Sequence, residues 1–312
     1  MSNPRVLVLH PGFPKTGSSS LQQVFAAEAR SNPAVAYLGP MSRPDGSRRS
    51  GARGWNRSPA LTGFVRDVRL GTPDDRLHQG FQAVVRDADG ADGAPHVVLS
   101  DELLSVPLRP NADAGRLWHN VDRIRDVTGG SFASMHIVLT LRSASEALPS
   151  AYSEDRWKLR RRYRSVDSFL RAVLDGDLPG YAERFDGEAI RRQATRRGIR
   201  LSLVRLTAGD EPGWVGPGGL LPDLLPWTEP HDLPWRNSRR KASGSWSSGG
   251  ISLLDLLEER VHHLPVPRPP AAIDRVLRRT LGRVRFRTRH PVSPDPEILQ
   301  ALDERFPVAA LR

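Results

Sequence analysis

Thirteen residues near the start of the chain, "HPGFPKTGSSSLQ" from His10 to Gln22, concentrate groups that bind an anion. Gly12 and Gly17 let backbone N–H groups approach a ligand closely, and Thr16, Ser18, Ser19 and Ser20 add hydroxyl donors. Lys15 adds a compact point charge, which a tight loop accommodates more readily than the planar fork of arginine. The loop follows the apolar run "RVLVLH" (Arg5–His10) and leads into "SSSLQQVFAAEARS", whose Leu21, Val24 and Phe25 have helical spacing. A strand, a glycine-rich turn and a helix N-terminus bring free N–H groups and the positive end of the helix dipole to one place, where phosphate or sulfate fits. The ordinary phosphate loop reads G-x-x-x-x-G-K-[ST], with lysine after the second glycine. Here Lys15 precedes Gly17, an order that disfavours a nucleoside triphosphatase.

Composition agrees with an anionic ligand. Among 312 residues, 46 are Lys or Arg against 35 Asp or Glu, a formal charge of +11. Nearly all the basic residues are arginine, and the lysines are Lys15, Lys158 and Lys241 alone. A bias that replaced lysine almost everywhere thus left one inside the glycine-hydroxyl loop. The chain has no cysteine, which excludes disulfides and thiolate chemistry and is compatible with a reducing cytoplasm. No apolar stretch is long enough to span a membrane, and "MSNPRVLVLHPGF" enters a predicted strand at once, so neither a transmembrane segment nor a secretory signal is expected.

The elements that must position the loop alternate. Strands are predicted at "RVLVLH", "AVAYLG" (Ala34–Gly39), "HVVLS" (His96–Ser100), "MHIVLTLR" (Met135–Arg142) and "IRLSLVRL". Helical spacing runs through Asp74–Ala88, "AGRLWHNVDRIRDVTGG" and "YAERFDGEAIRRQATRRG", the last as one helix ending at Gly198. This alternation predicts an α/β fold, a parallel sheet covered by helices on both faces. Residues 41–60, rich in Arg, Gly, Ser and Pro, read as a mobile loop. The chain divides into an α/β domain at 1–250, ending in a Pro, Gly and Trp-rich loop region, and a C-terminal helical extension at 251–312 packed on the core.

The run "PKTGSSSLQ" resembles the 5′-phosphosulfate loop of sulfotransferases that use 3′-phosphoadenosine 5′-phosphosulfate (PAPS), in which Pro-Lys-[Thr/Ser]-Gly-[Thr/Ser]-[Thr/Ser] follows the first strand. A second motif of that family, an Arg at a strand end with Ser eight residues on, is matched by Arg142 and Ser150 in "VLTLRSASEALPSAY". The resemblance spans roughly residues 5–206 and implies a P-loop-type sheet. It implies that Pro14, Lys15, Thr16, Gly17, Ser18, Ser19 and Ser20 hold the 5′-phosphosulfate, that Lys15 steadies the bridging oxygen, and that Arg142 and Ser150 grip the 3′-phosphate. Family members often carry proline and a second arginine inside the second motif, where this chain has Ala144 and Ala147; Pro149 should start or bend the helix there. "RRKASGSW" (Arg239–Trp246) loosely resembles the loop that closes over the 3′-phosphate in cytosolic members, which adds Arg240 and Lys241 to the nucleotide-binding candidates; a solvated basic loop is the alternative.

Sulfuryl transfer needs positioning, charge stabilisation and a base for the acceptor, with no metal. The adjacent histidines of "VHHL" point to different faces of a helix and make no metal site. In a doubly wound sheet ligands lie at the carboxyl ends of the strands, where "VVLSDELL" places Asp101 and Glu102. Glu102 is the leading base candidate and Asp101 the second, with helix capping the alternative for either, and His10 a third candidate. The basic "EDRWKLRRRYR" (Glu154–Arg164), with Trp157 and Tyr163, is either a wall of the acceptor cleft or a solvated face. The acceptor is expected to be a small molecule or glycan bearing a hydroxyl or amine. Nucleic-acid and membrane partners are not expected, PAP is the expected product, and oligomeric state is not readable. A P-loop kinase-like phosphotransferase and a basic nucleic-acid-binding protein are the rival functions.

Overall fold

Apolar runs of four to eight residues, bounded by glycine, proline or polar residues, form strands when both sheet faces are covered. Five such runs do so here. The computed structural model describes residues 4–13, 18–40, 58–88, 91, 93–106, 115–159, 162–205, 225–226, 251–252, 285–286 and 294–307, with backbone alone at 19, 20, 153–158, 204, 205, 251, 252, 285 and 286. Strands β1 (Val6–His10), β2 (Val35–Leu38), β3 (His96–Ser100), β4 (Ser134–Leu141) and β5 (Arg200–Arg205) form one parallel sheet of order β2-β3-β1-β4-β5. The predicted α/β fold with a helix-flanked parallel sheet is what the chain adopts.

Helix α1 (Ser18–Ser31) packs Leu21, Val24 and Phe25 on one face of the sheet, against Val8, Val98 and Val138. The other face is covered by α2 (Pro59–Leu70), α3 (Asp74–Arg86), α4 (Arg116–Thr128) and, beyond three further helices, α8 (Gly187–Arg196), around Leu7, Leu9, Val97, Leu99, Ile137 and Leu139. Side chains alternate between the two faces along each strand. No described helix is long and apolar enough to cross a membrane.

A second cluster is built from α5 (Ala144–Leu159), α6 (Val166–Leu174), α7 (Pro179–Ala182) and α9 (Pro296–Arg305). Phe169 is its centre, with ring centroids at 5.5 Å from Tyr152, 5.8 Å from Tyr163 and 5.2 Å from Tyr181. Two two-residue strands, β6 (Ile251–Ser252) and β7 (Arg285–Phe286), pair antiparallel. The expected helices of 251–312 fall mostly outside the described residues, as do residues 41–57 of the expected loop.

Several local expectations are corrected. Residues 58–60 belong to α2: Ser58 caps it by accepting from the Leu61 N–H at 3.1 Å, and Pro59 takes the first helical position, where its missing N–H costs nothing. "YAERFDGEAIRRQATRRG" is not one helix. Asp186 accepts from the Ala189 N–H at 2.8 Å and starts α8 afresh, separating it from α7. Helix α5 does not start at Pro149 but at Ala144, because Ala144, Ala147, Leu148 and Tyr152 are all buried in the second cluster and hold the helix through the proline.

The start of α5 is also tied to the far end of the chain. The Asp303 carboxylate accepts from the Ser145 backbone N–H at 3.2 Å and from Ser145 Oγ at 2.6 Å, across 158 residues of sequence. It satisfies one of the first-turn N–H groups that a helix leaves unpaired. Asp303→Ala is therefore expected to lower unfolding stability by about 1 kcal/mol, measured by urea titration followed by circular dichroism. A variant as stable as the parent would show that α9 contributes nothing to the start of α5.

Candidate functional site

Parallel pairing of β1 with β3 puts His10 opposite Ser100, both on the α1 face, and continues where the Asp101 N–H donates to the His10 carbonyl at 3.2 Å. From this edge the two chains part. The segment after β1 turns to α1 on one face, and the segment after β3 runs on to α4 on the other. Neighbouring strands whose connections leave to opposite faces open a crevice at their carboxyl ends.

Gly12, Ser18 and Glu102 meet in that crevice. Ser18 opens α1, is 2% exposed, and its Oγ donates to Glu102 Oε1 across 84 residues of sequence. A carboxylate at a helix N-terminus is favoured by the dipole and by the free N–H groups there. Gly12 has φ +56°, in the left-handed region, and a Cβ on it would stand 3.0 Å from Ser18 Cβ and 3.2 Å from Glu102 Cγ. Both the backbone and the space therefore require glycine.

The turn carrying Glu102 is held from three sides. Asp101, fully buried, accepts from the Leu103 N–H at 2.8 Å and caps the 3₁₀ turn Glu102–Leu104. Ser105 Oγ donates to the Gly12 carbonyl and also lies 3.0 Å from the Glu102 carbonyl, so one hydroxyl spans both walls of the crevice. Asn120 of α4 donates from Nδ2 to the Leu104 carbonyl at 2.8 Å. The two acids thus differ in place: Asp101 turns into its own backbone and Glu102 reaches the α1 end.

Next to Gly12 lies a polar group that sequence reasoning did not assemble. His10 Nδ1 is 2.8 Å from Ser100 Oγ, and Gln22 Nε2 donates to the same oxygen at 3.2 Å. The His10 ring stands edge-on to Phe25, centroids 5.6 Å apart, and its Cε1 is 3.7 Å from where a Gly12 Cβ would be. Burial pushes the imidazole down to about 3, so it is neutral at physiological pH. Gln22 sits on α1, and only strand register and helix docking bring it to Ser100.

Arg142 follows β4, the neighbour of β1 on the side away from β3. Its Nε donates to Glu146 Oε2 at 2.8 Å, an i,i+4 ion pair. Ser150 lies on α5, partly buried. The structure thus sets Arg142 and Ser150 on one strand-to-helix connection, and Ser18 and Glu102 on the neighbouring pair. Pro14, Lys15, Thr16, Gly17, Arg240 and Lys241 lie outside the described residues, and Ser19 and Ser20 are described as α1 backbone alone. Tyr163 does not face a cleft: it is buried against Phe169, and its carbonyl accepts from the Tyr152 hydroxyl at 3.0 Å. Among the described residues no three His, Asp or Glu side chains are grouped to hold a metal.

His136, lowered to about 4 by burial and by Arg200, is the second buried histidine on the α1 face, 2.8 Å from Ser202 Oγ through Nε2. Both histidines have folded values below the ordinary 6.5, so the unfolded chain binds more protons below pH 6.5. Stability is expected to fall as pH drops from 6.5 toward 4, by up to about 1.4 kcal/mol per pH unit for each histidine. Urea midpoints at pH 7 and pH 5 measure this, and His136→Gln is expected to give the shallower loss. An equal loss in the variant would remove His136 from the account.

Compared with known protein families and with curated protein sequences, the chain matches none.

Proposed function

We propose that this chain is a PAPS-dependent sulfotransferase with a P-loop-type core, transferring a sulfuryl group to a hydroxyl or amine of a small-molecule or glycan acceptor. The observation that carries the reading is the meeting of Ser18 and Glu102 at the α1 N-terminus, in the crevice where the β1 and β3 connections part. Ser18, which belongs to the first of the two sequence motifs, and Glu102, the leading base candidate, come from distant parts of the sequence, and their contact supports the reading. An acidic group is already paired at the α1 end, where the Ser18 hydroxyl donates to the Glu102 carboxylate, which supports reading that end as one that favours negative charge.

In this reading the loop from Pro14 to Ser20 holds the 5′-phosphosulfate through backbone N–H groups and hydroxyls, and Lys15 balances charge on the bridging oxygen. Arg142 and Ser150 hold the 3′-phosphate, with Arg142 exchanging Glu146 for the ligand. Glu102 takes the proton of the acceptor, and its fixed turn keeps it beside the transferring group. Asp101 keeps the capping role that its hydrogen bond assigns. A chain without cysteine suits this work in a reducing cytoplasm.

PAP is expected to raise the melting temperature by mass action, and ATP much less, since ATP lacks the 3′-phosphate. Equal shifts, or a larger one with ATP and magnesium, would favour the kinase-like phosphotransferase. Glu102→Gln is expected to lower sulfuryl transfer from labelled PAPS by about 10²-fold or more, whereas Asp101→Asn keeps a capping oxygen and retains turnover. Loss of turnover in Asp101→Asn with an active Glu102→Gln would reverse the two roles.

A further inference from the structure

His10 has one ring nitrogen that its bond to Ser100 does not use. The residue is 0% exposed, and Nε2 has no hydrogen-bond partner among the described residues. The proton positions follow from the partners. Gln22 Nε2 donates to Ser100 Oγ, so that oxygen is already an acceptor. Its own proton has one acceptor among the described residues, His10 Nδ1 at 2.8 Å. If Nδ1 carried the ring proton instead, the Ser100 proton would have no acceptor among the described residues. The neutral ring therefore holds its proton on Nε2, as an N–H donor.

A buried donor left unpaired carries its full desolvation cost. The place of the ring gives this one a use. Its Cε1, which lies between the two ring nitrogens, is 3.7 Å from the position of a Gly12 Cβ, the same point that Ser18 and Glu102 approach. We infer that His10 is a binding residue whose Nε2–H donates to the anionic group bound at the α1 N-terminus, with Ser100 and Gln22 as positioning residues that fix the tautomer. This rests on the reading of that end as the anion site and replaces the role of His10 as a base: an imidazole whose Nδ1 accepts from Ser100 and whose Nε2 is protonated has no free lone pair. Because the ring stays neutral, it adds direction without adding charge to a loop that already has Lys15.

Long-range ¹H–¹⁵N spectra of the labelled protein report the tautomer directly, with the His10 signals assigned by their absence in His10→Gln. The expected result is an Nε2-protonated His10 whose Nε2 resonance moves when PAP or inorganic sulfate is added. His10→Ala is expected to weaken PAP binding about tenfold, as loss of one hydrogen bond to a charged group does. His10→Gln, whose amide N–H reaches a similar place, is expected to recover most of it. An Nδ1-protonated ring, or a PAP response that leaves the His10 resonances unmoved, would overturn the assignment even if neither variant folds. A sulfate response at His10 without PAP binding would uphold His10 and overturn the cofactor reading; no response to either would overturn both.

Discussion

The parallel pairing of β1 with β3 is the constraint from which the site follows. It sets His10 opposite Ser100 and ties the Asp101 N–H to the His10 carbonyl at 3.2 Å. From that last shared rung the two chains must leave in different directions, because β1 feeds α1 on one face while β3 feeds α4 on the other. Ser18 and Glu102 can touch because both segments start from one fixed point. Gly12 is the residue that lets them come so close, and the Ser105 hydroxyl holds the two walls together.

The two faces of the sheet are built differently. The side of the sheet facing α2, α3, α4 and α8 presents Leu7, Leu9, Val97, Leu99, Ile137 and Leu139. The α1 side carries His10, Ser100, His136, Thr140 and Ser202 among its valines, all buried. Burying polar groups is unfavourable unless they are paired, and on this face they pair across neighbouring strands, His10 with Ser100 and His136 with Ser202. Such pairs lock register, since a slip of one residue would separate both partners. They also make this face the acid-sensitive one.

The second cluster does for Arg142 what the sheet does for Ser18. Aromatic packing around Phe169 holds α5, and Asp303 secures its first turn from the far end of the chain. Arg142, just ahead of that turn, is held in an ion pair with Glu146. The end of β4 and the start of α5 are thus fixed before any ligand is considered.

Local chemistry made much of this legible. The five strands are apolar runs bounded by breakers, and each forms where its composition predicts; the glycine-hydroxyl loop, Asp101 and Glu102 stand out as residue types at strand ends. The α2 start was also readable in principle, since Ser58-Pro59 followed by Leu61, Phe64, Val65 and Val68 carries its own cap and period. Pairings between distant segments were not. No residue type in "HVVLS" says that Ser100 stands opposite His10, that Gln22 reaches Ser100, or that Glu102 rather than Asp101 meets Ser18. Pro149 shows the same limit, because burial of Ala144, Leu148 and Tyr152 outweighs a local helix breaker. The sequence by itself determined which segments are strands and which residues can bind charge, because those depend on neighbours along the chain. Strand order and register decided which of them share a site, because those depend on how two covered faces close around one core.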